Sequence, residues 1–173
     1  MPRQVALLRG INVGGHKKVP MAQLKAVLEG LGFAQVETLL NSGNVAFDGE
    51  PITGEVLADR LAQAFGFAIP TLVLPQAAIQ ALVAQQPFAG QATHKDIRWY
   101  VTFLPQPVPP PVPLPHPIAD GALTLLSQTD FALMSVLDVR LKGSVEAYTV
   151  WERLYGKDIT TRTWDTVVKL STR

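Results

Sequence analysis

Residues 5–24 read VALLRGINVGGHKKVPMAQL: an apolar run, a glycine-rich basic loop and the opening of a helix. The apolar run is short and unbroken, which predicts a buried strand over residues 3–8. Proline disfavours helical geometry in the residue before it, so the chain stays in a loop until Pro20, which itself suits a first helical turn. Met21, Leu24, Val27, Leu28 and Leu31 then line one helical face, and Gly32 supplies the left-handed stop. Further on, Val36–Leu40 and Val45–Phe47 are short strands flanking the turn NSGN. Thr53 is an N-cap with Ile52 and Leu57 as a hydrophobic staple, and Val56, Leu57, Leu61, Ala64 and Phe65 mark a second buried stripe that Gly66 ends. Ile69–Leu74 closes the series as a fourth strand. Strand, helix, strand, strand, helix, strand is the split β-α-β order of a ferredoxin-like unit. LGFA at Leu31–Ala34 recurs as FGFA at Phe65–Ala68, each where a helix gives way to a strand.

The second half is less regular. Pro75 opens a helix through Ala84, Ile97–Phe103 reads as a strand, Leu123–Leu126 and Phe131–Val139 as a strand pair, and Val145–Leu154 and Trp164–Leu170 as helices. Eight of the 14 prolines fall in residues 105–117, PQPVPPPVPLPHP, which rules out a helix or inner strand there and predicts an extended, exposed connection. The P-x-x-P spacing at Pro107 and Pro110 has no flanking arginine or lysine, and a stiff spacer explains it better than a partner ligand. The expected division is a ferredoxin-like subdomain over 1–74 and a second, permuted or irregular one over 75–173 containing the connection 105–117.

A chain of 173 residues, 47% hydrophobic and 17% charged, is long enough for one domain or two small packed subdomains. It has no cysteine, which excludes disulfides, thiolate metal sites and cysteine nucleophiles. It shows no signal-peptide layout and no apolar stretch of spanning length, so a cytoplasmic protein with no membrane partner is expected. The net charge of +1 is polarised: residues 1–28 carry five bases and no acid, residues 153–173 five bases and two acids, and the middle five bases and twelve acids. If the ends meet, they form a positive patch; otherwise they are solvated faces.

The strings LLRGINVGG, VPM, SGNV and TTRTWDTVVKL, with QPF at Gln86–Phe88 and VTFL at Val101–Leu104, resemble a bacterial family of conserved proteins known as domain of unknown function 1697, over nearly the whole chain. The resemblance implies an α+β fold of two ferredoxin-like subdomains with antiparallel sheets, and it implies no established activity. The proline run stands where that family has a helix between the second-half strands.

The loop Arg9–Lys18 is the main candidate site. Gly10 and Gly15 have the separation of a phosphate-binding loop, but His16 occupies the position that needs lysine, and no G-x-G-x-x-G spacing appears. One reading is a nest of amides, with Arg9, Asn12, Gly14, Gly15, His16, Lys17 and Lys18 around an anion; the other is a loop whose glycines permit positive φ. Thr160, Thr161, Arg162 and Thr163 precede the last helix, where capping explains the threonines and Arg162 is a second candidate anion contact. Asn41, Ser42 and Asn44 fit turn chemistry. His16, His94 and His116 lie far apart, no nucleophile elbow or paired carboxylates occur, and Trp99, Trp151 and Trp164 read as core, so catalytic residues stay unassigned and no metal or cofactor is expected. The expected partner is an anionic, phosphate-bearing small molecule or a nucleic acid, with Arg9 and Arg162 sharing one site. An enzyme acting on a small phosphorylated metabolite and an interaction scaffold are the alternatives.

Overall fold

A computed structural model describes residues 1–141 and 146–173; the expected helix start at Val145 lies outside them. The chain divides into two compact units, residues 1–84 with 168–173, and residues 85–167. The first unit thus runs past residue 74.

In the first unit the apolar run becomes β1 (Arg3–Leu8), a central strand buried along most of its length. It is followed by α1 (Met21–Gly30), β2 (Ala34–Leu39), β3 (Asn44–Asp48), α2 (Gly54–Phe65), β4 (Thr71–Pro75) and α3 (Gln76–Ala84). The strands form one antiparallel sheet in the order β2-β3-β1-β4, the ferredoxin-like arrangement the sequence predicts. Period-2 alternation sends Ala6 and Leu8 of β1 and Val45 and Phe47 of β3 to one face, where Leu24 and Leu28 of α1 and Leu57 and Leu61 of α2 complete the core. Thr53 caps α2, its hydroxyl accepting from the Val56 amide at 3.2 Å, and Gly66 ends the helix at φ 83°. Three residues expected on the buried stripes face out instead. Val56 and Ala64 lie on the flanks of the Leu57–Leu61 stripe, Val56 a full 100° from Leu57, and Leu31 is exposed because α1 ends before it.

The second unit holds β5 (Ile97–Phe103), β6 (His116–Ile118), β7 (Leu123–Gln128), β8 (Ala132–Asp138), α4 (Ala147–Tyr155) and β9 (Thr160–Thr163); α5 (Trp164–Leu170) begins in it. Its antiparallel sheet has the order β6-β7-β8-β5-β9. Without the short β6, the order β9-β5-β8-β7 repeats β4-β1-β3-β2 of the first sheet. The proline connection takes the place of α1, and α4 that of α2. A separate core gathers Leu104, Leu123, Leu125, Leu133, Val150, Trp151 and Ile159. Trp151 donates its indole N–H to Ser135 Oγ at 3.0 Å and meets the Tyr100 ring edge-on at 5.3 Å, while Phe88 stacks on Trp99 at 5.0 Å.

Two features depart from expectation. Thr160–Thr163 is a strand paired with β5, where the sequence suggested only a capping segment; of its threonines, Thr163 bonds the Thr166 hydroxyl at 3.0 Å, while Thr161 bonds Thr102 across the sheet at 2.9 Å. The proline connection is extended and its prolines are exposed, yet it is not a free spacer. Val108, Val112, Leu114 and Ile118 pack against the second core between them. Gln128 fastens it by donating to the Val108 carbonyl at 2.7 Å, and the Tyr155 hydroxyl donates to Gln128 Oε1 at 2.8 Å; burial raises the Tyr155 pKa.

Candidate functional site

β1 delivers the chain to the loop at a fixed point. The Leu8 amide donates to the Gly43 carbonyl at 2.8 Å and the Arg9 amide to the Pro70 carbonyl at 2.9 Å, so the loop leaves the sheet beside the β2–β3 turn and the start of β4. Ile11 and Val19 are buried in the first core and anchor both ends of what lies between. Val13-Gly14-Gly15-His16 is a two-residue hairpin turn: Gly14 and Gly15 both have positive φ, 58° and 76°, the His16 amide donates to the Val13 carbonyl at 3.0 Å, and Val13 pairs with His16. This turn type requires left-handed backbone at both central positions, which glycine adopts without steric cost.

Asn12 closes the hairpin. Its backbone N–H donates to the Lys17 carbonyl at 3.1 Å, and its side-chain amide donates to the carbonyls of Val19 at 3.0 Å and Asn41 at 2.8 Å. Its side-chain oxygen accepts from the Val19 amide at 2.8 Å. One side chain thus ties the hairpin's two legs to each other and to the neighbouring turn. That turn, Leu40–Gly43, closes with the Gly43 amide donating to the Leu40 carbonyl at 3.2 Å. Gly43 is demanded twice, by its φ of 92° and because a Cβ there would lie 2.7 Å from Ile11 Cδ1 and 2.8 Å from Leu8 Cβ. Asn44 is wholly buried and donates to the Leu39 carbonyl at 2.7 Å.

What the pair of loops presents outward is basic and aliphatic. Every residue from Val13 to Lys18 is exposed, Val13 at 68%, and Leu40 stands out at 55% with φ 62°. Arg9 is half-buried at the base. Among the described residues neither Lys17 nor Lys18 joins an ion pair. The structure therefore brings together Arg9, Asn12, Gly14, Gly15, His16, Lys17 and Lys18 in one hairpin, but the amides of Asn12 and His16 are engaged inside it. The hairpin's outward chemistry lies in its cations. Sequence reading missed Leu40 and the Asn41 carbonyl as parts of this surface, because the link runs through the Asn12 side chain 29 residues away.

Arg162 belongs to the second unit, on β9 opposite Val101, and is only 9% exposed, donating to the Thr161 carbonyl at 3.0 Å. Burial lowers its pKa to about 10, opposed by nearby Tyr148, so the guanidinium stays charged at neutral pH. Among the described residues no group of three or more His, Cys, Asp or Glu side chains gathers as metal ligands, and no helix is long and apolar enough to cross a membrane. His94 sits 3.6 Å from an Asp96 carboxylate oxygen, far along the chain from the hairpin.

Two antiparallel sheets of matching strand order, each with its own helices and core, define an α+β protein built from two ferredoxin-like subdomains. Residues 1–115 match the family described as "Protein of unknown function (DUF1697)", and the chain belongs to that family. Its structure is similar to that of a conserved bacterial protein, SP0830 from Streptococcus pneumoniae, at TM-score 0.73 and 22% sequence identity, covering 98% of this chain and 97% of that one. At that identity the likeness speaks for the fold. No curated protein matches the chain.

Proposed function

We propose that the protein binds an anionic, phosphate-bearing ligand through the hairpin of residues 9–18. The observation that carries this reading is the anchored, outward-facing cationic tip. His16, Lys17 and Lys18 are exposed on a turn whose conformation Asn12, Ile11 and Val19 hold in place, and no acidic residue occurs in residues 1–28 to neutralise them. Holding the backbone lowers the ordering cost of binding, so cations on such a tip contribute more than cations on a mobile tail. Arg162 has a structural part in this reading, as the buried cation of the second sheet.

The test is calorimetric titration of the protein with inorganic pyrophosphate at low salt. Saturable binding is expected, and Lys18→Gln is expected to weaken it by about 1 kcal/mol, roughly fivefold in Kd, as for one exposed charge-assisted contact. Binding that Lys18→Gln and Lys17→Asn leave unchanged would place the anion elsewhere.

A further inference from the structure

We infer that the hairpin's partner is duplex DNA, with the Val13–His16 tip entering the major groove and Lys17 and Lys18 on the flanking phosphates; this rests on the anion-binding reading above. Small phosphorylated metabolites are held in concave sites that enclose most of the ligand. Six consecutive exposed residues on a two-residue hairpin make the opposite shape, a protrusion, which can contact a small ion on one side only. A protrusion of this kind fits a groove in its partner. The major groove of B-form DNA, about 12 Å wide, admits a two-stranded ribbon, whereas the A-form RNA major groove is too narrow for side chains to read.

The side chains agree with that choice. Val13 is aliphatic and 68% exposed, suited to a thymine methyl at a base edge. No Phe, Tyr or Trp lies in residues 9–19 or 40–43, so His16 is the single ring on this surface, short of the row of stacking platforms on which successive unpaired bases are held. Leu40, on the turn that Asn12 tethers to the hairpin, is a second exposed aliphatic side chain.

The experiment is fluorescence anisotropy with a DNA duplex of about 15 base pairs, one and a half turns, its single strand and the same sequence as duplex RNA, alongside pyrophosphate titration of the same protein. With two cations on phosphates, Lys17 and Lys18, log K should fall against log salt with a slope of about −1.8, about 12-fold between 50 and 200 mM. Lys17→Asn with Lys18→Gln should remove most of that salt dependence; asparagine is chosen because it tolerates the φ of 50° at position 17. Val13→Ser, which removes only the apolar tip, should weaken duplex DNA binding and leave pyrophosphate binding unchanged. Equal or tighter binding of single strand or duplex RNA, or a duplex DNA affinity indifferent to these substitutions, overturns the inference. Pyrophosphate binding without duplex binding overturns it while sparing the anion reading. Absence of both overturns both.

Discussion

Asn12 shows how one residue can set the shape of a surface without being its chemistry. Its left-handed backbone, at φ 56°, is a conformation asparagine tolerates better than most residues, and its side chain makes three hydrogen bonds. Asn12→Ala removes those bonds and adds strain, and is expected to lower unfolding free energy by about 1–3 kcal/mol, read from urea melts. Asp138 offers a second residue-scale test. Arg140 donates to both its carboxylate oxygens, at 2.9 and 2.8 Å, and its backbone amide donates as well, lowering the Asp138 pKa from 3.8 to about 2. A depressed carboxylate pKa means that the pair's contribution to stability is present above pH 3.8 and is lost as pH falls towards 2. Carboxyl NMR should show Asp138 titrating near pH 2, and Arg140→Gln should return its midpoint to the ordinary aspartate range; an unshifted midpoint in the parent protein would contradict the pairing.

Among the elements, the proline connection is the one whose role changes most between sequence and structure. Its prolines are exposed, but Val108, Val112 and Leu114 cover the second core where the first unit has a helix. Serine at those three positions should lower stability by about 1 kcal/mol each, as partly buried aliphatic side chains, whereas serine at Pro109, Pro111 and Pro113 should cost less; denaturant midpoints of the two triple variants give the comparison. A glycine-serine replacement of the whole run would combine both losses, so it is expected to destabilise the fold. The first half was legible because its elements carry their own local signals: Leu57, Leu61 and Phe65 repeat every turn, and Val5–Leu8 form a short unbroken apolar run buried on both faces. β9 was hidden because an arginine occupies one of its inward positions, Thr160 and Arg162 pointing in and Thr163 out, and only pairing with β5 reveals the strand. β6 is three residues long with a proline in the middle, and it too exists through its neighbour. At the candidate site, glycines and lysines announced a special loop, but the Asn12 bond to the Asn41 carbonyl joins residues 29 apart and no local pattern encodes it.

At the scale of the molecule, each unit carries its own sheet and core, and both sheets follow one strand order. The first unit is also discontinuous. Gln76 is buried and donates to the carbonyls of Leu170 at 3.0 Å and Arg173 at 2.6 Å, and Gln80 donates to Ser171 at 3.0 Å, while Arg3 Nε donates to the Arg173 carbonyl at 2.6 Å. Gln76→Leu takes the side-chain donor from the buried Leu170 carbonyl and leaves the Arg173 carbonyl to Arg3, and is expected to cost about 1–3 kcal/mol, with faster amide hydrogen exchange over residues 168–173; unchanged exchange there would mean the Gln76 bonds of this clasp contribute nothing. The same clasp bears on how the chain is made. A ribosome delivers Arg3, Gln76 and Gln80 well before the carbonyls that accept their hydrogen bonds, and the second unit emerges between Gln80 and those carbonyls. The first sheet can assemble while synthesis continues, but its closing bonds wait for residues 170–173 to emerge, so of the two units the first to begin is the later to be completed.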